Sequence, residues 1–124
     1  PTSRDEILAA LGAEVLDWDF QTECCGAGLS LSNTEQVVEL SGRLVREALY
    51  RGADAMVVAC QLCQTNLDMR QGQVGGEDGR SHRLPIIYFT QLMGLAFGLA
   101  PAALGLDHHL VDPLALLEQK GLTA

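Results

Sequence analysis

The chain has 124 residues, 48 % of them hydrophobic and only 5 % aromatic, and a formal net charge of −8. That length suits one domain that buries an aliphatic core without disulfide staples. Its eight basic residues are scattered and form no run, which excludes the clustered Lys and Arg of a nucleic-acid surface.

Ser3-Arg4-Asp5-Glu6 is a capping box and predicts a short helix, with Ile7, Leu8 and Leu11 as its apolar side and Gly12 at its end. Residues 13–20 (AEVLDWDF) read as a strand centred on Val15 and Leu16, with Trp18 packing in a core or an interface. Cys24-Cys25-Gly26 follows within a few residues. Ser32-Asn33-Thr34-Glu35 is a second capping box and opens the longest helix, about 34–51. Val37, Leu40, Leu44 and Ala48 mark its apolar stripe, flanked by Val38, Val45 and Leu49, and Gly52 closes it. The apolar run 55–59 (AMVVA) has the composition of a central parallel strand. Cys60-Gln61-Leu62-Cys63 comes at its end and opens a helix over 61–70. Residues 71–83 are Gly-rich and polar, and are expected to form a surface loop containing a solvent-facing His82. A third strand is expected at 85–89 (PIIYF), with Thr90 capping a helix that runs to residue 97. Pro101 and Asp112-Pro113 each start a short helix.

The alternation of helix and strand needs crossover connections. It predicts one α/β domain over 1–124, a three-layer architecture with a mainly parallel sheet flanked by helices. Both cysteine motifs then fall at the carboxyl ends of strands, where open parallel sheets bind their ligands.

The four cysteines are the chemical content of the chain. Cys24-Cys25 and Cys60-x-x-Cys63 are separated by 34 residues, far enough to lie on two loops of one fold. Four readings compete. Two disulfides of a secreted protein is one, but the pairs have cluster-like spacing and the first residues read as a helix start with no signal-peptide pattern, so a reducing, cytoplasmic setting is the expectation. A four-cysteine zinc site would strain the adjacent Cys24-Cys25 around a single ion. A redox dithiol would use Cys60 and Cys63 and leave Cys24 and Cys25 unexplained. An iron–sulfur site uses all four, with Gly26 permitting close backbone approach. At a helix N-terminus, Cys60 and Cys63 are also favoured as thiolates.

Cys-Cys-Gly followed by Cys-x-x-Cys resembles the cysteine-rich CCG domain found in the B subunit of heterodisulfide reductase and in related subunits of glycolate- and succinate-oxidising complexes. The resemblance extends over about 1–100, through Leu11-Gly12-Ala13-Glu14-Val15, Thr22-Glu23-Cys24-Cys25-Gly26-Ala27, Val58-Ala59-Cys60, Asn66-Leu67-Asp68 and Tyr88-Phe89-Thr90-Gln91-Leu92. It implies a Rossmann-like fold and a non-cubane 4Fe–4S cluster on Cys24, Cys25, Cys60 and Cys63, with Gly26 beside it. It implies reductive cleavage of a small-molecule disulfide and electrons from an iron–sulfur donor subunit. It also implies a second, N-terminal CCG domain in the same subunit. The family pattern begins with a lone cysteine that is absent here, so the chain is expected to be the C-terminal fragment of a longer subunit. The fragment alone is expected to be inactive, with no intact cluster and with its thiols free, oxidised or carrying zinc. The competing functions are a zinc-stabilised interaction module and an electron-transfer or docking domain of a glycolate- or succinate-oxidising complex.

The remaining residues have plainer readings. His108-His109, beside Asp107 and Asp112, reads as a solvated turn in preference to a metal site. Asn66 sits about one helical turn after Cys63, suited either to hydrogen bonding at the site or to the helix surface. Thr90 and Gln91 follow the third strand and could line the same crevice. The apolar stretch 92–106 contains Pro101 and is too short to span a bilayer. It reads as buried helices or as a docking surface for a partner protein of the same complex.

Overall fold

The computed structural model describes residues 3–21, 23–72 and 83–121. Among them are five α-helices: α1 (Ser3–Ala10), α2 (Thr34–Tyr50), α3 (Gln61–Arg70), α4 (Phe89–Ala96) and α5 (Leu114–Gln119). Short 3-10 turns cover Ala27–Leu29, Pro101–Leu104 and Leu106–His108. Two strands, β1 (Met56–Val58) and β2 (Ile86–Tyr88), pair in parallel with Met56 opposite Ile86 and Val58 opposite Tyr88.

Helix ends follow local chemistry. Asn33 caps α2: its Oδ1 accepts from the Gln36 backbone N–H at 3.2 Å, and its Nδ2 reaches the Gln36 side chain at 3.4 Å. The expected box of Ser32 and Glu35 is thus displaced by one residue, because Asn33 is the residue with extended φ. At the other end Gly52 adopts φ +80, and its N–H bonds Leu49 O while Ala53 N–H bonds Ala48 O. That is a Schellman closure, which favours glycine at the left-handed position. The expected Thr90 cap is replaced by Gln91, whose Oε1 accepts the Tyr88 N–H at 2.9 Å.

α3 carries buried polar residues where a simple amphipathic helix would carry apolar ones. Asp68 accepts the backbone N–H groups of Leu110 and Val111, each at 2.8 Å. Gln71, just past its end, clamps Leu84 in both directions, donating to its carbonyl at 2.6 Å and accepting its N–H at 2.7 Å. With Asn66, these residues tie α3 to three separate segments and pair the backbone groups they reach.

Successive residues of β2 face opposite sides, as a strand requires. Ile86 joins a core of Cys25, Leu44, Val45, Met56 and Leu67, whereas Ile87 joins a second cluster of Leu95, Leu106 and Leu117. The 92–106 stretch supplies part of that second cluster, while Phe97 and Leu99 within it stay exposed.

The α/β class and the parallel pairing agree with the sequence reading, but the sheet has only two strands among the described residues. No strand forms over 13–20. Its side chains anchor it: Trp18 and Phe20 pack on the first core, stacked edge to face at 5.8 Å, with Arg43 over Phe20 at 5.2 Å. Val15, expected at the strand centre, is exposed. Leu16, Trp18 and Phe20 alternate as a strand would, but the segment has no ladder partner among the described residues, and side-chain packing holds it. The 71–83 loop and His82 lie largely outside the described residues.

Candidate functional site

Cys25 is nearly inaccessible, at 1 % exposure, although it lies on a loop. Its carbonyl accepts from Ser41 Oγ at 3.0 Å and Asn66 Nδ2 at 3.3 Å. Asn66 also donates to Ser41 Oγ at 2.8 Å and accepts from Arg70 Nε at 2.9 Å. The loop is thereby pinned to both α2 and α3. Asn66 thus has the site role, not the surface one. Sequence reasoning missed Ser41, whose signal was a lone hydroxyl within the apolar stripe of α2.

Gly26 makes the turn. Its φ is +82, and a Cβ there would lie 2.8 Å from Leu40 Cδ1. Its N–H points back to Cys24 Sγ at 3.3 Å.

The second motif arrives from β1. Cys60 ends the extended segment and precedes α3, which begins at Gln61 as expected. One turn on, Cys63 turns inward until its sulfur lies 3.2 Å from Cys25 Sγ, across 38 residues of sequence. The backbone N–H of Cys63 stabilises the Cys60 thiolate and lowers its pKa. Burial pushes the Cys63 thiol up to about 12, reinforced by its hydrogen bonds to Cys25 and Cys60. At neutral pH Cys63 therefore keeps its proton, while Cys60, exposed at the helix start, is the more nucleophilic of the pair. A cavity of about 610 Å³ opens beside Cys60 and Cys63, walled in part by Leu16, Trp18 and Val57.

Cys63 is the sulfur common to both contacts, bonding Cys25 on one side and Cys60 in its own motif. Cys24 is exposed at the rim, its sulfur held by Gly26. Among the described residues, no group of three or more His, Cys, Asp or Glu is assembled to hold a single ion. The soft sulfur donors suit thiophilic metals. Of the His108-His109 pair, His108 is exposed beside Asp107, as a solvated turn predicts. His109 instead lies between Gln64 and Gln91, half-buried.

A family model described as the cysteine-rich domain CCG matches residues 1–68. The chain is similar to the membrane anchor subunit of 8-methylmenaquinol:fumarate reductase from Wolinella succinogenes, 31 % identical over 116 residues. It is also similar to the B subunit of ferredoxin:CoB-CoM heterodisulfide reductase from Methanosarcina mazei, 29 % identical over 119 residues. A third relative is the B subunit of the ferredoxin/F420H2-dependent CoB-CoM heterodisulfide reductase of Methanosarcina acetivorans, 31 % identical over 119 residues. Each alignment covers 94 % of this chain but only 40–41 % of the relative, so the chain spans about two-fifths of their length.

The Wolinella relative overturns the expectation of a cytoplasmic protein, because it is a membrane anchor subunit. Reduced or metal-bound thiols require a chemical environment and do not specify whether a protein sits free or on a membrane. No helix among the described residues is long and apolar enough to cross a bilayer.

Proposed function

The chain belongs to the cysteine-rich CCG domain family, and from that premise we propose that it forms part of a disulfide-reducing, heterodisulfide reductase-like subunit. In this reading Cys24, Cys25, Cys60 and Cys63 hold a non-cubane 4Fe–4S cluster. The observation that carries it is the 3.2 Å approach of Cys25 and Cys63, which brings the two cysteine motifs into one site.

When bound, such a cluster supplies the electrons for opening a disulfide. The chain's own residues do the rest. Cys63 releases its proton on metal loading. Ser41 and Asn66 hold the Cys25 backbone, and Gly26 lets the loop lie close against α2. The cavity beside Cys60 gives a small disulfide an approach to the thiols.

In this reading the chain, which spans about two-fifths of its relatives' length, is the C-terminal of two such domains. Its partners are then the N-terminal domain of the same subunit and an iron–sulfur electron donor. The three-layer, Rossmann-like architecture around β1 and β2 belongs to the same reading. The chain alone does not turn over in this reading.

The test is iron, sulfide and zinc content of the chain and of its full-length parent, purified without oxygen, together with disulfide reduction by the parent. Iron and sulfide with a broad visible band in the parent, and thiol release from a disulfide, support the reading. Stoichiometric zinc and no colour in the parent would replace it with a structural-metal module. The fumarate reductase relative favours a second reading, an electron-transfer domain of a quinol-linked complex. A parent that binds the cluster but releases no thiol from any disulfide selects that one.

A further inference from the structure

Three of the four sulfurs are ordered by depth. Cys60 is exposed at the start of α3, Cys63 is half-buried one turn on, and Cys25 is 1 % exposed. Cys60 and Cys63 line the cavity of about 610 Å³, and Cys25 does not. Cys63 meets both of the others: its sulfur lies 3.2 Å from Cys25 Sγ and is hydrogen-bonded to Cys60 within its own motif. A molecule in the cavity therefore reaches Cys60 directly, and reaches Cys25 only by way of Cys63.

The deep pair is held together by the fold. Ser41 on α2 and Asn66 on α3 fix the Cys25 carbonyl, and Cys63 rides on α3 itself. Cys25 is part of the first core, and Cys63 packs against that core. A bond between these two sulfurs would be screened from solvent, whereas a bond between Cys60 and Cys63 would leave the Cys60 sulfur exposed. Shielded disulfides resist exchange with outside thiols, and exposed ones are labile. Cys24 stands outside the series, at the rim, with its sulfur facing the Gly26 N–H at 3.3 Å.

We propose that the metal-free chain carries out thiol–disulfide exchange with a small external disulfide, taken up at Cys60 and passed through Cys63 to rest as a Cys25–Cys63 disulfide. Each step trades one S–S bond for another. The Cys60 sulfur attacks the disulfide RSSR, forming a Cys60–SR bond and expelling RS⁻. Cys63 then attacks the Cys60 sulfur, and the second RS⁻ leaves. Cys25 attacks the Cys63 sulfur and releases Cys60. The protons of Cys25 and Cys63 end on the two RS⁻ groups. One external disulfide is thus reduced to two thiols, two protein thiols are oxidised, and Cys60 is regenerated. The final bond ties up two of the four proposed cluster ligands, so the oxidised chain has to be reduced before metal enters. The exchange itself needs no metal and does not rest on the cluster reading.

The metal-free chain is incubated with glutathione disulfide, quenched with iodoacetamide at intervals, and mapped by peptide mass spectrometry. A Cys60–glutathione adduct is expected first. At the end point Cys25 and Cys63 are joined, and Cys24 and Cys60 remain alkylatable. Cys60→Ser is expected to slow formation of that bond at least about tenfold, because the remaining members of the series are shielded. The wild-type map decides the matter by itself should the variant not fold. A final bond between Cys60 and Cys63 or between Cys24 and Cys25, no intramolecular bond at all, or an unchanged rate in folded Cys60→Ser overturns the proposal. Iron and sulfide in the parent are measured separately, so the cluster reading stands or falls on its own result.

Discussion

Asn66 decides more at this site than its surface-like position in the sequence indicates. It is 4 % exposed and joins Cys25, Ser41 and Arg70 in one network. Asn66→Ala strands the Cys25 carbonyl and the Ser41 hydroxyl in a dry setting, at an expected cost of about 1–3 kcal/mol. Urea unfolding of the metal-free chain measures it, and a loss below about 0.5 kcal/mol would mean that water replaces the amide. The thiols should differ in reactivity for local reasons. Cys60 is exposed with its thiolate favoured, whereas Cys63 is half-buried with its thiolate disfavoured. With limiting iodoacetamide at about neutral pH, Cys60 should be alkylated well before Cys63, and peptide mass spectrometry reads the order. Faster labelling of Cys63 would contradict the geometry.

At the scale of elements, α3 organises the molecule because its inward polar groups each hold another segment. Asp68 is the strongest case, a 7 % exposed carboxylate taking two backbone N–H bonds from 110–111. Asp68→Ala leaves both donors unpaired, and the expected loss is roughly 3 kcal/mol. Amide exchange separates this from a general weakening, since Leu110 and Val111 should lose protection first. The extents of α3, β1 and β2 were legible from sequence, because an apolar run, a cysteine turn and a helical pattern meet there without ambiguity. The strand expected over 13–20 was not, since alternating Leu16, Trp18 and Phe20 describe any extended segment packed on one side. Strand formation depends on a ladder partner, which lies elsewhere in the chain.

Across the whole molecule, Cys63 links folding and metal loading to pH. In the folded chain its pKa stands at about 12, against an ordinary thiol value of 9.0. A raised folded value contributes stability that is fully present below about pH 9 and is lost as pH climbs towards about 12. Cys60 has a lowered value, so its contribution is already complete above about pH 9 and does not add to that slope. The wild-type chain should therefore lose stability relative to Cys63→Ala over this window, as read by paired thermal melts. Parallel pH curves would refute the assignment. Metal loading has the opposite dependence, because Cys63 must give up its proton to coordinate. Zinc affinity should rise with pH between about 6 and 9, on the order of tenfold per pH unit for each thiol deprotonated, as competition with a chelator measures.

Sequence alone determined the donor chemistry and the local grammar. Four soft thiols in two motifs, a glycine after the first, and a strand–turn–helix around the second depend only on residue type and spacing. Tertiary structure decided which of these groups meet. It brought Cys63 to Cys25 and left Cys24 at the rim, placed Ser41 and Asn66 behind the Cys25 loop, and separated His109 from His108 to set it between two glutamines. The long-range contacts among these join residues 16 to 45 positions apart. The buried partner of a polar side chain is set by packing across that distance, which no local pattern records.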